Sequence, residues 1–172
     1  MKKSSLHQMK PQDIVVLAKL IAMGNDGYVQ ILLAETLYMS QSEISSSLKR
    51  SHYAGLLINN GQEVERKLFF DFIQYGLGVV FPVHPGAVVR GTVTAHSGPP
   101  LNLEFVSGEK YVWPYAKGHS RGQSITPLYP TVPQAAHLDE SLHELLALFD
   151  AVRAGRAREK NRALEILKER IC

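Results

Sequence analysis

Cysteine is nearly absent from this chain: among 172 residues the only one is Cys172, at the C-terminal end. A single terminal thiol excludes an internal disulfide, a zinc site built on cysteines and a buried cysteine nucleophile, and we expect an incidental surface thiol. Long apolar runs are also absent, and residues 1–5 lack the apolar stretch of a secretion signal. With 45% hydrophobic residues the chain can form a core, so we expect a folded, cytoplasmic protein that does not enter a membrane.

Sequence motifs of common enzymes and metal sites are absent as well. The chain has no Gly-x-Ser-x-Gly elbow, no His-Glu-x-x-His pair and no glycine-rich dinucleotide fingerprint, so we expect no catalytic residues, no enzyme and no cofactor. His84, His96 and His119 are twelve and twenty-three residues apart, unlike ligands on one element, which argues against a metal site. Residues 118–122 lack the Lys-Ser/Thr end of a phosphate loop, and we predict a turn there.

Residues 31–50 have the pattern of two helices joined by a tight turn. Apolar residues about one helical turn apart give the first of these helices a buried face. These apolar residues are Ile31, Leu32, Ala34 and Leu37. Ser40 then has the position of an N-cap, and Glu43 completes a capping box, so the next helix begins at Gln41.

The second helix of this pair has an open face of small polar and basic side chains, because Ile44 and Leu48 lie four residues apart and point inward. A helix of this kind places its first turns in the major groove of DNA, where Gln pairs with adenine, Lys with guanine and Ser with a base or a phosphate. The residues predicted to read bases are Gln41, Ser42, Ser45, Ser46 and Lys49. Those predicted to hold phosphates are Tyr28, Ser47 and Arg50. The alternative is a core helical hairpin whose Ser-rich face is merely solvated.

This stretch resembles the helix-turn-helix regulators of bacteria, chiefly the winged-helix MarR and IclR groups. The resemblance covers residues 10–58, about a third of the chain. The matching residues are 33–34, 39–45, 47–50 and 54–57. The resemblance implies that residues 41–50 contact DNA and that residues 10–23 form a supporting first helix.

The chain departs from this family pattern at two points. Tyr38 occupies the turn position that glycine holds in many such motifs, which carries a steric cost if the residue needs a positive φ. A winged domain also continues with a β-hairpin that has a basic tip, but residues 63–72 have a helical pattern here. We therefore predict a wing that is short or absent, with Arg66 and Lys67 as candidate phosphate contacts from the next helix.

Charge is weak and unevenly distributed, with a net charge of +3. Residues 1–76 carry eight Lys and Arg against seven Asp and Glu, whereas residues 151–172 carry seven against three. Phosphate neutralisation drives most non-specific DNA affinity, and an excess of one positive charge in residues 1–76 is small. DNA binding by this domain therefore needs well-placed cations or positive charge from another part of the chain. We favour a solvated helix face for the cationic tail, with DNA contact as the alternative. Its clustered cations are Arg153, Arg156, Arg158, Lys160 and Arg162.

The pattern as a whole indicates an α+β fold in two domains. Residues 1–76 form the helix-turn-helix domain, with three to four helices. It starts with a helix from Pro11 to near Gly24, and it closes with a helix over residues 63–75.

Residues 77–172 form the second domain, which combines a small irregular β region with a C-terminal pair of helices. Prolines break the β region into short runs. These runs are residues 79–81, 91–94, 101–106 and 110–113. Asp139 caps the first C-terminal helix, which ends near Gly155, and a last helix follows for dimerisation or for binding a partner or effector.

Aromatic residues are concentrated in the middle segment, and we predict that most belong to the core. They are Phe81, Phe105, Tyr111, Trp113, Tyr115 and Tyr129. Effector pockets combine apolar walls with a few convergent polar groups, so an acidic small molecule is a candidate ligand here. The side chains that would meet it are Arg90, His96, Lys117, His119 and Arg121.

Together these features predict a bacterial, cytoplasmic, sequence-specific regulator of transcription that binds double-stranded DNA. Operators are usually palindromic because dimers bind two half-sites, so we expect a homodimer that acts as a repressor, with the last two helices as its interface. Two alternatives stay open. One is an antitoxin-like or other protein-interaction module in which DNA binding is secondary, and the other is a small-molecule sensor that uses the aromatic middle segment.

Overall fold

The structure is a computed structural model that describes residues 7–24 and 26–172. Residues 1–5, which were weighed above as a secretion signal, lie outside the described residues, as does Asn25. The described residues form several N-terminal helices, small sheets and a C-terminal group of helices, which confirms the predicted α+β class. Within the described ranges, no helix is both long and apolar enough to cross a bilayer.

Three helices open the fold: α1 over Pro11–Met23, α2 over Gln30–Leu37 and α3 over Gln41–Tyr53. Helix α1 begins with its proline in the first turn, where a missing N–H removes no intrahelical bond, and it ends before Gly24 as predicted. Nine consecutive residues of α1 are buried, from Asp13 to Ile21, because α2, α3 and a later helix pack around it. Helix α1 is therefore the central support of the N-terminal half.

The buried face of α2 differs from the prediction. Leu33, Ala34 and Leu37 pack inward, whereas Ile31 is 52% exposed and Leu32 is 49% exposed. Residues 33, 34 and 37 lie on one face of a helix with 3.6 residues per turn, and residues 31 and 32 lie outside that face. The prediction was therefore wrong for Ile31 and Leu32.

The turn between α2 and α3 is tight, and Tyr38 occupies its left-handed position with a φ of 53°. The steric cost foreseen for a residue other than glycine therefore applies. Helix α3 begins at Gln41, and its capping box is formed as predicted. The Ser40 hydroxyl accepts from the Glu43 N–H at 3.1 Å, and the Glu43 carboxylate accepts from the Ser40 N–H at 2.9 Å.

A short antiparallel hairpin follows α3, at the position where a wing that is short or absent was predicted, and it is called the wing below. Its strands are β1 over Leu57–Ile58 and β2 over Glu63–Val64. Left-handed backbone at Asn59, Asn60 and Gly61 reverses the chain, since asparagine and glycine tolerate positive φ. Residues 63 and 64 are therefore strand and not helix, and the predicted helix over 63–75 begins later, as α4 over Arg66–Tyr75.

The middle segment contains one short helix and three short strands. Helix α5 covers Leu77–Val80, where a β run was predicted, because these residues pack as a turn of helix against a later helix. The strands are β3 over Val88–Val93, β4 over Tyr111–Pro114 and β5 over Ser120–Ser124. A 3-10 turn at Leu101–Leu103 replaces the strand expected at 101–106.

Each of the three strands β3, β4 and β5 pairs with the other two, so that they close on themselves. Strand β3 is antiparallel to both neighbours, and β4 runs parallel to β5. A Cβ at Gly91 would collide with the Trp113 carbonyl oxygen, and a Cβ at Gly122 would collide with that of Lys110. The glycines thus permit the close approach that makes β5 a strand, where the sequence suggested a turn over residues 118–122.

The chain ends in three helices: α6 over Val132–His137, α7 over Glu140–Ala154 and α8 over Ala157–Ile171. Asp139 caps α7 as predicted, since its carboxylate accepts from the Leu142 N–H at 3.0 Å. Helix α7 crosses the centre of the molecule, where Phe149 packs edge-on against Phe69 of α4 with ring centroids 5.9 Å apart. One hydrophobic cluster joins the two halves, so the predicted boundary at residue 76 does not separate two cores.

A buried polar cluster ties α7 to the strands. The Asp150 carboxylate accepts from the Trp113 indole N–H at 2.6 Å and from the Thr94 hydroxyl at 2.8 Å, and it pairs with Arg153. Burial raises the pKa of Asp150, against the opposing effect of the Arg153 guanidinium and of these hydrogen bonds. Because the buried carboxylate has partners from Thr94, Trp113 and Arg153, the cluster fixes the middle segment on the C-terminal helices.

Candidate nucleic-acid interface

The outer face of α3 presents four of the five side chains predicted to read bases. Gln41, Ser42, Ser46 and Lys49 are exposed, and Ser45 is half-buried. The face is open because Ile44 and Leu48 point into the core, as predicted. It offers an amide, two hydroxyls and an ammonium group, all within about two and a half turns of the start of the helix.

A groove of about 550 Å³ runs beside this face. Its other wall is formed by His7 and Lys10 of the segment before α1 and by Gln12 in the first turn of α1. The His7 ring stacks on Tyr53 at the end of α3, with ring centroids 4.0 Å apart, so this segment follows the length of the helix. Sequence reasoning missed these residues. The only available signal was a polar, basic segment immediately before a helix that was expected to support α3.

Two predicted phosphate contacts, Arg50 and Ser47, are buried, and the prediction is overturned for both. Arg50 is 5% exposed and donates to both carboxylate oxygens of Asp13, through Nε at 2.8 Å and Nη2 at 2.7 Å. Ser47 lies on the inward face beside Ile44, because residues three apart share a helix face. Both residues support α3 from within.

Tyr28 is half-buried and contacts the wing, not open solvent. Its hydroxyl donates to the carbonyl oxygen of Gly61 at 2.6 Å, and burial raises the pKa of this phenol. The hydroxyl proton is therefore already used within the protein, which corrects the prediction that Tyr28 holds a phosphate. Its role is to hold the wing turn against the segment that precedes α2.

The wing and the start of α4 supply little positive charge to this surface. The hairpin and its turn carry Glu63 but no Lys or Arg. Arg66 donates to the Ile171 carbonyl oxygen at 3.2 Å, and Lys67 pairs with Asp71 at 2.6 Å. These two candidate phosphate contacts are thus engaged elsewhere. The groove is lined by Lys10, Lys49 and Arg50, of which Arg50 is paired with Asp13, and also by the carboxylate of Glu43.

The C-terminal half holds the start of α3 in place. The Tyr129 hydroxyl donates to Glu43 at 2.6 Å, and the Thr131 hydroxyl donates to the Leu37 carbonyl oxygen at 2.7 Å. The Tyr129 hydrogen bond holds the pKa of Glu43 below its ordinary value, and the same bond raises the pKa of Tyr129 to about 12. Helix α3 is therefore tethered at its N-terminal end to the segment before α6.

A second concavity, a cleft of about 570 Å³, lies next to the turn before α3. Tyr38, the loop from β4 to β5 and helix α6 line it. Of the five side chains expected to meet an acidic ligand, only Lys117 and His119 line this cleft. His96 is buried elsewhere, with Nε2 at 2.9 Å from the Glu109 carbonyl oxygen, so the five do not converge on one site.

Among the residues that the structure describes, no group of three His, Cys, Asp or Glu side chains is placed to hold a metal ion. In the tail, Arg153 donates to the Phe81 carbonyl oxygen, Arg162 pairs with Glu104 and Glu165, and Arg158 lies over the Phe105 ring. Most of the tail cations therefore stabilise the fold.

Comparison of the chain with protein-family models, with curated proteins and with solved structures found no match. The function proposed below follows from the face of α3, the groove beside it and the charges that border it.

Proposed function

We propose that this protein is a sequence-specific regulator of transcription that binds double-stranded DNA through α3. The single observation that carries the proposal is the exposed polar face of α3, formed by Gln41, Ser42, Ser46 and Lys49 on a helix held firmly from behind. The order of three helices followed by a short hairpin supports the resemblance to winged-helix regulators. Such a helix presents its first turns to base edges in the major groove.

The roles of the side chains follow from their chemistry. Gln41 is suited to a bidentate contact with adenine and Lys49 to a contact with guanine, while Ser42 and Ser46 suit either a base or a phosphate. Lys10, across the groove from Lys49, is suited to a backbone phosphate. Because the wing has no cation, we expect the wing to add little to the affinity.

We further propose a cytoplasmic homodimer that acts as a repressor. Helix α7 is buried in the core over most of its length, so α8 offers the more exposed face to a second copy. A dimer with two copies of α3 would read a two-fold symmetric site with half-sites about one helical turn, ~34 Å, apart.

The test is selection of bound duplexes from a randomised library, followed by titration of the enriched duplex and a scrambled one over a salt series. We expect a palindromic consensus, and Lys49→Gln should weaken binding to it by about ten- to hundredfold, the loss typical of one base contact. Lys110→Gln, which removes an exposed charge from the loop before β4, is the matched control and should leave the affinity nearly unchanged. Failure to enrich any sequence, or equal affinity of the Lys49→Gln variant, contradicts the proposal.

A further inference from the structure

The cleft of about 570 Å³ next to the turn before α3 has a volume typical of small-molecule sites. Three side chains in its lining carry a positive charge or gain one on protonation. Lys117 and His119 belong to the loop between β4 and β5, and His137 ends α6. The lining residues that the structure describes include no Asp or Glu. A cleft with charge of one sign attracts ligands of the opposite sign, so this cleft is suited to an anion.

The three basic side chains of the cleft are available to a ligand. Lys117, His119 and His137 are all exposed, and none of them forms a salt bridge with another residue that the structure describes. The exposed Lys67, by contrast, is paired with Asp71. An anion in the cleft would therefore form charge-assisted hydrogen bonds without displacing a partner from the protein.

The backbone beneath these side chains is already held in place. Gly91 of β3 and Gly118 of the loop both line the cleft, and a Cβ at Gly118 would collide with the backbone of Gly91. The Tyr115 N–H donates to the Arg90 carbonyl oxygen at 3.1 Å, and the Gly118 N–H donates to the Tyr115 carbonyl oxygen at 3.0 Å. Because the loop is fixed on β3, binding costs little ordering of the backbone.

The cleft also has aromatic and aliphatic walls. Tyr38 is 40% exposed, Tyr115 is half-buried and Leu138 is exposed, and all three line the cleft. Aromatic rings pack against flat apolar groups, and small-molecule sites combine such walls with a few polar groups. The lining therefore suits a ligand that has a flat apolar body as well as a negative charge.

We propose that this cleft, here called the anion cleft, binds a small organic anion with a flat apolar body, either a carboxylate or a phosphate ester. Lys117, His119 and His137 neutralise the anionic group, and Tyr38 and Tyr115 pack against the body. The sequence indicated Lys117 and His119 for such a ligand, whereas Tyr38 and His137 join them only in the folded chain.

A ligand in the anion cleft would contact the turn from which α3 starts. Tyr38 is the left-handed residue of that turn. Helix α6 is tied to the same turn, since the hydroxyl of Thr131, its N-cap residue, donates to the Leu37 carbonyl oxygen. A ligand that binds one arrangement of this turn better than another shifts the protein towards it, so we expect a change in DNA affinity. This consequence rests on the proposed function, whereas binding of the anion does not.

The test is isothermal titration calorimetry of the full chain with two anions and their neutral analogues. Benzoate is compared with benzamide, and adenosine 5′-monophosphate with adenosine. We expect one of the anions to bind more tightly than its neutral analogue by roughly tenfold or more, since only the anion forms charge-assisted hydrogen bonds. The anion that binds distinguishes a carboxylate ligand from a phosphate ester.

Lys117→Gln should weaken binding of that anion by roughly ten- to hundredfold, the loss typical of one hydrogen bond to a charged group. Lys110→Gln, an exposed position outside the cleft lining, is the matched control and should bind the anion like the wild type. Both side chains are exposed, so both variants should keep the melting temperature of the wild type. An unchanged affinity of Lys117→Gln, or two anions that bind no better than their neutral analogues, overturns the inference.

A second titration separates this inference from the proposed function. The affinity for the selected duplex is measured with and without the anion that binds, and a change that is lost in Lys117→Gln supports the link between the cleft and α3. If the anion binds the cleft but the protein binds no duplex, the proposed function fails and the anion cleft stands. If the duplex binds as expected and neither anion is preferred to its analogue, the anion cleft fails and the proposed function stands.

Discussion

Asp13 and Arg50 form an ion pair inside the protein and join α1 to α3. Asp13 is fully buried, and its carboxylate also accepts from the Lys10 N–H at 2.8 Å. A buried ion pair contributes little net stability compared with a well-packed apolar pair, but loss of one partner leaves an uncompensated buried charge. The pair therefore constrains where α3 lies on its support.

We expect Asp13→Ala to lower the free energy of unfolding by about 3–5 kcal/mol, because it strands the Arg50 guanidinium in the core. Urea denaturation followed by far-ultraviolet circular dichroism measures the change. Lys67→Ala, which breaks the exposed pair with Asp71, is the control and should leave the midpoint almost unaltered. If Asp13→Ala lowers the free energy of unfolding by less than about 1 kcal/mol, the Arg50 guanidinium becomes solvated in the variant and is not held in the core.

At the scale of elements, the start of α3 depends on a contact from the far half of the chain. Glu43 belongs to the capping box of α3 and also accepts from Tyr129. In the folded protein its pKa is depressed, so its contribution to stability is present above its ordinary pKa of 4.5 and is lost as the pH falls through the lower folded value. The raised pKa of Tyr129 gives a contribution that is complete below 10 and is lost as the pH rises through about 12.

We expect Tyr129→Phe to destabilise the protein by about 1 kcal/mol at neutral pH, as suits a partly exposed bond to a carboxylate. The difference from the wild type should be constant between about pH 5 and pH 10 and should shrink towards both extremes, since either titration breaks the bond. Urea midpoints over this pH range measure it, with the exposed Tyr75→Phe as the control. A difference that does not vary with pH would show that lost packing, and not the hydrogen bond, is responsible.

Local signals in the sequence identified the elements that depend on local chemistry. The caps at Ser40 and Asp139 and the proline at the start of α1 are short-range features, and the helices that they begin are present. Strand β5 depends on pairing with β3, more than thirty residues earlier, and on glycines that admit a neighbouring backbone. No local period encodes such a contact, and residues 118–122 therefore suggested a turn.

The candidate site was likewise predictable only where it depends on local spacing along the helix. The exposed side chains of α3 follow from the inward positions of Ile44 and Leu48. Arg50 is buried because it pairs with Asp13, which lies 37 residues away in the chain. The sequence suggested an exposed Arg50, because this cationic side chain lies near a predicted interface. Long-range partners, and not residue type, decide which cations remain available.

At the scale of the whole molecule, one hydrophobic cluster includes residues from α1, α4, α7 and α8. Lys19 of α1 also pairs with Asp139 at the start of α7 at 2.6 Å. Such a core loses its apolar contacts together, because exposure of α7 uncovers the helices on both sides of residue 76.

We therefore expect one calorimetric unfolding transition for the whole chain, with equal calorimetric and van't Hoff enthalpies. Residues 1–76 expressed alone should not fold, since α1 and α4 would expose the faces that α7 now covers. Two resolved transitions, or a folded fragment of residues 1–76, would instead support the domain boundary that the sequence suggested.

The burial of Trp113 gives the protein a built-in optical reporter. It is the only tryptophan in the chain, it is 1% exposed, and its indole N–H contacts a carboxylate on α7. Excitation at long ultraviolet wavelengths therefore observes one indole, whose emission moves to the red when the contact between β4 and α7 opens to water. Helix α3 contains no tryptophan. The emission wavelength of Trp113 therefore reports whether the core is intact, whereas the fluorescence anisotropy of a labelled duplex reports DNA binding. The two signals can be recorded from the same cuvette without any substitution in the protein.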